Sequence, residues 1–281
     1  MLNLAMITLA QQLLNLGDVD PILLFALAGI FLSLSVIPVS LTLALAPTPI
    51  NKVSVDFAKV WKHSHIGIIG SIFTGLITGS FWALAPIYAN DSGFTTFQLA
   101  NFMSAVVLGG ALFQVPIGRF SDKFDRRLIL IFIALAGAAV SFLTFFISFQ
   151  DFYAGAVSTG LGFIWGAFGM TMYAICLAHA NDNADSSDFV SIGSAMLITY
   201  GLSSAIGAPI ASAFMGFFGH QYLFVFMGAS FVLFSVMMIA RRKSHVLPAM
   251  TEDNEEFQAI AGLTTPEVLS LIQLPDPTRP Y

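Results

Sequence analysis

Gly118-Arg119-Phe120-Ser121-Asp122-Lys123-Phe124-Asp125-Arg126-Arg127 is the stretch on which the reading of this chain turns. Six of its ten residues are charged, in a chain where charged residues make up only 10%. The flanking runs 97–117 and 128–149 hold no Asp, Glu, Lys or Arg. At a helical rise of about 1.5 Å per residue, each run matches the ~30 Å hydrocarbon thickness of a bilayer. The stretch therefore reads as a tight turn at a membrane surface. Within it, Gly118 can end a helix and admit a close neighbour. Asp122 can accept hydrogen bonds at the positive end of another helix. Arg126 and Arg127 can pair with that carboxylate or with lipid phosphate. Basic residues alone would follow from the ordinary charge bias of such a turn, but the spacing of Gly118, Asp122 and Arg126 would not.

The same alternation extends in both directions. Runs 21–45, 66–89, 152–178, 190–217 and 222–240 also lack ionisable acidic and basic residues, which brings the spans to seven. Hydrophobic residues reach 57%, whereas a soluble domain carries about 25% charge to keep its surface wet. Lipid must cover what water cannot. Segment 2–16 carries Asn3, Gln11, Gln12 and Asn15 and is short for a span, at roughly 22 Å. Residues 1–20 hold no Lys or Arg and offer no small-residue cleavage site, so a secretory signal is a poor reading. The segment reads instead as the remnant of a spanning helix whose beginning is missing. Cys176 stands alone, which excludes a disulfide framework and a cysteine metal site. The net charge of −5 resides mainly in the tail and loops, and no basic stripe supports nucleic-acid binding.

Loop charges orient the spans. Lys52, Lys59 and Lys62, then Arg119, Lys123, Arg126 and Arg127, then Arg241, Arg242 and Lys243 fall on one side. The opposite loops, 17–20, 90–96, 150–151 and 218–221, hold no Lys or Arg. The basic side is cytoplasmic by the positive-inside rule, and it carries the C-terminus. The remaining cytoplasmic loop, 179–189, is acidic, with Asp182, Asp185 and Asp188. Beyond Lys243, an acidic run and Pro275, Pro277 and Pro280 predict a largely disordered tail with one short helix starting near Pro266.

The charged turn resembles the signature loop of the major facilitator superfamily, Gly-x-x-x-Asp-(Arg/Lys)-x-Gly-(Arg/Lys)-(Arg/Lys). Gly118, Asp122, Lys123, Arg126 and Arg127 match. Asp125 stands where the family has Gly, a change that bears on the turn, although Asp tolerates left-handed backbone better than most residues. Residues 81–127, with Leu84-Ala85-Pro86-Ile87-Tyr88-Ala89, resemble the seventh and eighth helices of that family. Residues 191–215, with Gly201, Gly207 and Pro209, resemble the eleventh. Both are similar, more narrowly, to the YcaD-like branch of bacterial carriers.

The resemblance implies an all-α polytopic transmembrane bundle, the C-terminal six-helix half of such a carrier. Residues 1–45 would be a truncated fifth and a complete sixth helix, 46–65 a cytoplasmic linker, 66–240 the six-helix bundle and 241–281 the tail. It implies a conformational-gating role for Gly118, Arg119, Asp122, Lys123, Arg126 and Arg127. It also implies a multi-pass protein of the inner (plasma) membrane that carries a small solute by alternating access, partnered by the bilayer and by a missing N-terminal half. No cofactor and no metal are expected.

The spans carry further signals. Gly75-x-x-x-Gly79 and Gly162-x-x-x-Gly166 have the spacing that brings helix backbones together in lipid. Pro38, Pro86 and Pro209 can bend their helices. Asn101 and Gln114 lie near span ends, where interfacial hydrogen bonding is the ordinary role. Trp165, Tyr173, Tyr200, Ser203 and Ser204 sit nearer mid-depth, with Trp82 toward the outer side. These six form a candidate pocket for a partly apolar or aromatic solute, and plain filling of the bundle is the competing reading. No span holds a carboxylate, so a proton-coupling acid is not expected in this part of the protein. The five histidines lie near loops, and no nucleophile–base pair appears, which argues against an intramembrane enzyme. A non-transporting scaffold or an inactive truncated product shares all these features and remains the alternative to a carrier.

The orientation is directly testable. Reporter fusions after Lys59, Arg126 and Arg242 should report cytoplasmic, and fusions at Ser92 and His220 external. A cytoplasmic signal at Ser92 would break the span assignment.

Overall fold

The computed structural model describes residues 57–150, 153–182, 184 and 188–242, with Gln12 and six positions between 26 and 34. Eight α-helices follow one another from residue 57: α1 Phe57–His63, α2 His65–Asp91, α3 Thr96–Lys123, α4 Arg126–Ile147, α5 Ser158–Gly169, α6 Met172–Asn181, α7 Phe189–Phe218 and α8 Tyr222–Arg242. A π-helical turn, Tyr153–Val157, leads into α5. Six helical stretches are long and apolar enough to cross a membrane, with Gly155–Asn181 counting as one. These are the six spans expected within 66–240. The segments expected at 2–16 and 21–45, the linker up to residue 56 and the tail from 243 lie outside the described residues, apart from the few positions named above.

Two features depart from the expected plan. Residues 57–63, assigned to a linker, form α1, and Ser64 then caps α2 by accepting the Gly67 N–H at 3.1 Å. The span expected over 152–178 is also not one uniform helix. Gly155, at φ +118, lies in its π-turn, and a turn at Met170 and Thr171 separates α5 from α6. The Thr171 hydroxyl donates to the Ala167 carbonyl at 2.7 Å, a local bond of the kind that bends helices.

Sequence neighbours pack weakly; the close pairs are α2 with α7, α3 with α5 and α4 with α8. Glycines explain the first two. A Cβ on Gly75 would strike the Tyr200 carbonyl and Ser203, and one on Gly79 would strike Ser204, so both glycines of that motif hold α2 against α7. Gly207 returns the contact from α7 onto the Leu76 backbone, where an added Cβ would lie 2.8 Å from the Leu76 carbonyl oxygen. Between α3 and α5, Gly109 faces the Phe163 carbonyl while Gly166 faces the Val106 carbonyl. Gly162 admits the Phe102 ring of α3, 2.9 Å from where its Cβ would lie. The core between these pairs is aromatic. Phe81 stacks on Trp165 at 4.4 Å, with Phe102 and Phe231 further out.

Gln12 belongs to this frame as well. Its Nε2 donates to Asn101 Oδ1 at 3.2 Å and to Ser104 Oγ at 2.9 Å, which ties the first segment to α3. The amide that made segment 2–16 look unlike a span has a polar partner in the bundle.

Substitution separates seam glycines from open ones. Gly109→Ala and Gly166→Ala should each destabilise the protein by about 1–3 kcal/mol, because the added methyl meets facing backbone. Gly201→Ala, on an open face of α7, should leave stability unchanged or raise it by up to ~1 kcal/mol. Thermal melts in detergent that ranked all three alike would remove the seam.

Candidate functional site

The charged turn is tighter than its sequence suggested. Gly118 does not end a helix: α3 continues to Lys123, and a Cβ at Gly118 would meet nothing within 4 Å. Its φ is not positive, so the backbone there asks nothing special of glycine. The break is confined to Phe124 and Asp125. Asp125, standing in place of the family's Gly, has φ −54 and needs no left-handed backbone. It caps α4 instead, and its Oδ1 accepts the Arg127 N–H at 2.9 Å.

This short break sets Arg126, the first residue of α4, one turn from Asp122. Arg126 Nη2 donates to Asp122 Oδ1 at 2.9 Å, and Arg126 Nε lies 3.2 Å from Asp182 Oδ1. Asp182 follows α6, and its other oxygen lies 3.5 Å from His179 Nδ1. One guanidinium thus joins the neighbouring ends of α3, α4 and α6. The Arg126 side chain is 20% exposed, but Asp122 is 45% exposed, so solvent screening holds the Asp122 pair to about 0–1 kcal/mol. The carboxylate expected to cap a distant helix has Arg126 as its partner here. Arg119 and Lys123 are exposed and Arg127 half-buried. Asp182 was not singled out beforehand, although an acidic loop on the same side as a basic one was the signal for it.

The six mid-depth candidates separate. Tyr173 and Tyr200 come together edge-to-face, with centroids 5.3 Å apart, and both are half-buried. Thr78 joins them: its Oγ1 lies 3.0 Å from the Tyr200 hydroxyl and donates to the Thr74 carbonyl at 2.7 Å. Thr78 was also missed; two threonines one turn apart in a carboxylate-free span were the available hint. Trp165 is not with them. It is 1% exposed and stacked inside the core, and its Nε1 donates to Ser141 Oγ at 3.0 Å. Ser203 and Ser204 are taken up by the glycine seam with α2. Trp82 stands 39% exposed with its edge against Phe81. Among the described residues, no group of three or more His, Cys, Asp or Glu could hold a metal ion.

The helical architecture and the turn agree with the comparison to known proteins. Residues 67–272 match the family model described as Major Facilitator Superfamily. The chain belongs to that superfamily. It is similar to the uncharacterized MFS-type transporter YcaD of Escherichia coli O9:H4 (strain HS), at 29% identity over 215 residues, covering 75% of this chain and 53% of the relative. The same figures hold for the proteins of that name in Escherichia coli strain K12 / DH10B and in strain O157:H7 EC4115. The chain spans about half the length of the curated relatives it matches.

The placement of Trp165 has a thermodynamic consequence. Trp165→Ala should cost about 3–5 kcal/mol of stability by emptying a core site. Trp165→Phe and Ser141→Ala should each cost about 0.6–2 kcal/mol, and the double variant less than their sum, because they remove one shared hydrogen bond. Additive losses in detergent melts would separate the two side chains.

Proposed function

We propose that this chain supplies one of the two helical bundles of a secondary carrier that moves a small solute across the plasma membrane by alternating access. The observation that carries the reading is the Arg126 guanidinium shared between Asp122 and Asp182, in a chain of the major facilitator superfamily. A contact that ties three span ends on the cytoplasmic side, and is worth little because it is partly solvated, suits a latch that has to open. The helices that precede the bundle belong to the partner half, and Gln12 bonds to α3 from that side. Tyr173, Tyr200 and Thr78 form the solute-facing surface, offering two ring edges and a hydroxyl pair without charge. Trp82 flanks that surface, while Trp165, Ser203 and Ser204 hold the bundle together.

Accessibility tests this without knowledge of the solute. In the protein with its preceding helices present, Tyr200→Cys would be placed on a Cys176→Ala background and labelled with an impermeant maleimide from each side. Adding Arg126→Ala should raise labelling from the cytoplasmic side by about five-fold and lower it from the outside, the shift that ~1 kcal/mol of differential contact produces. Labelling unchanged on both sides, or raised on both together, would favour a non-transporting scaffold.

A further inference from the structure

The α3–α5 pair encloses a space that none of the roles above uses. The two helices touch where Gly109 and Gly166 meet facing carbonyls, and toward the outer ends they part around a cleft of about 670 Å³. The cleft runs along one face of α3 from Phe97 to Leu108 and is matched on the other side by residues from Gly155 to Phe163. Eleven residues of helix make it roughly 16 Å deep. No acidic or basic residue lines it. Its inner end is apolar, closed by Leu108 and Phe163, and its polar side chains are Gln98, Asn101 and Thr159.

Those polar groups are fixed by the fold. Gln98 belongs to the capping box of α3, where its Oε1 accepts the Thr95 N–H at 2.8 Å. That bond turns its amide nitrogen toward the π-turn, 3.8 Å from where a Gly155 Cβ would lie. Asn101 Oδ1 is held by Gln12. Both amides stand on the first two turns of α3, at the outer mouth, while the hydrocarbon wall lies deeper. The site is thus polar at its entrance, apolar at its floor and uncharged throughout. A small-molecule site has this composition, an apolar lining with a few placed polar groups.

We propose that this cleft binds an uncharged amphiphile, with its hydrogen-bonding head at Gln98 and Asn101 and its apolar body against Leu108 and Phe163. An ionised head finds no counter-charge there, and a wholly apolar molecule makes no use of the polar side chains at the mouth. The same chemistry describes a neutral single-chain lipid and a small aromatic alcohol, and the two sources are separable by experiment.

Gly160 makes the test clean. It lines the cleft, and a Cβ there meets nothing within 4 Å, so Gly160→Trp fills the space without disturbing the helix seam. The full chain in phosphatidylcholine nanodiscs would be photolabelled with three diazirine probes: a benzyl alcohol, a monoacylglycerol and a benzoate. Mass spectrometry would map the adducts. The expected result is saturable labelling of residues 97–108 and 155–163 by one or both neutral probes and none there by the benzoate. Gly160→Trp should lower that labelling roughly ten-fold, because the protein's own side chain takes the pocket volume, while Gly201→Trp on α7 leaves it unchanged. Labelling by the benzyl alcohol alone identifies a solute-like ligand, and labelling by the monoacylglycerol alone a lipid. Adducts spread over the lipid-facing side of α4, benzoate labelling within the cleft, or labelling indifferent to Gly160→Trp would overturn the proposal. So would the absence of labelling by both neutral probes, as when the chain's own first segment covers the cleft.

Discussion

When two helices meet in lipid, no apolar surface is withdrawn from water, so the association has to come from van der Waals contact and the few available hydrogen bonds. Gly109 and Gly166 bring the α3 and α5 backbones close enough for each glycine to lie against a carbonyl of the other helix. Most of the architecture follows from that approach. It carries Gly162 over Phe102, sets Phe102 against Phe81, and leaves Phe81 to stack on Trp165. Trp165 then reaches Ser141, so that α4 is bound into the core by a hydrogen bond as well as by packing. The α2–α7 pair repeats the device with Gly75, Gly79 and Gly207.

The six spans within 66–240 were legible in the sequence because the bilayer imposes them as length and composition. The motifs at Gly75 and Gly162 were legible for a related reason: small residues four apart lie on one face whatever surrounds them. Gly109 and Gly110 have no glycine four residues away, so their contact with Phe163 and Met170 showed only in the fold. Mid-depth position did not tell which of the six side chains lie together. Depth is set by counting along a span, but the direction in which a side chain points is not. In these spans both lipid and protein faces are apolar, so there is no amphipathic pattern to reveal it. Trp165 and Tyr173 lie eight residues apart on one span, yet one is sealed in the core and the other is half-buried beside Tyr200.

The charged turn divides in the same way. Its residue identities were readable, and so was the closeness in sequence of Asp122 and Arg126, which pair across the two-residue break between α3 and α4. The second partner was not, because Asp182 lies 56 residues further on and meets Arg126 only when α6 is placed beside α4. The roles given to Gly118 and Asp125 were assigned from residue type, and both helices made other use of them. α3 runs through Gly118 to Lys123, and Asp125 meets the next helix's need for an N-cap.

These contacts leave the α3–α5–α6 region unevenly held along the membrane normal. At the end that carries the charged turn, Arg126 ties Asp122 to Asp182. At mid-depth the glycine seam allows no further approach and, being backbone on backbone, little rotation. Toward the opposite end the helices diverge around the cleft, and the π-turn with Gly155 supplies irregular backbone there. A pair of rods fastened at one end and in contact at the middle can separate more only where it is already apart. In the alternating carrier proposed above, closing the parted end would require the pair to pivot on its seam, which would strain the fastening at the other end. A partly solvated ion pair is weak enough to permit such a pivot, and smooth glycine contacts would let it proceed without side chains having to pass one another. An Arg126 contact of several kcal/mol, or bulky residues at the seam, would hold the same fold in one position.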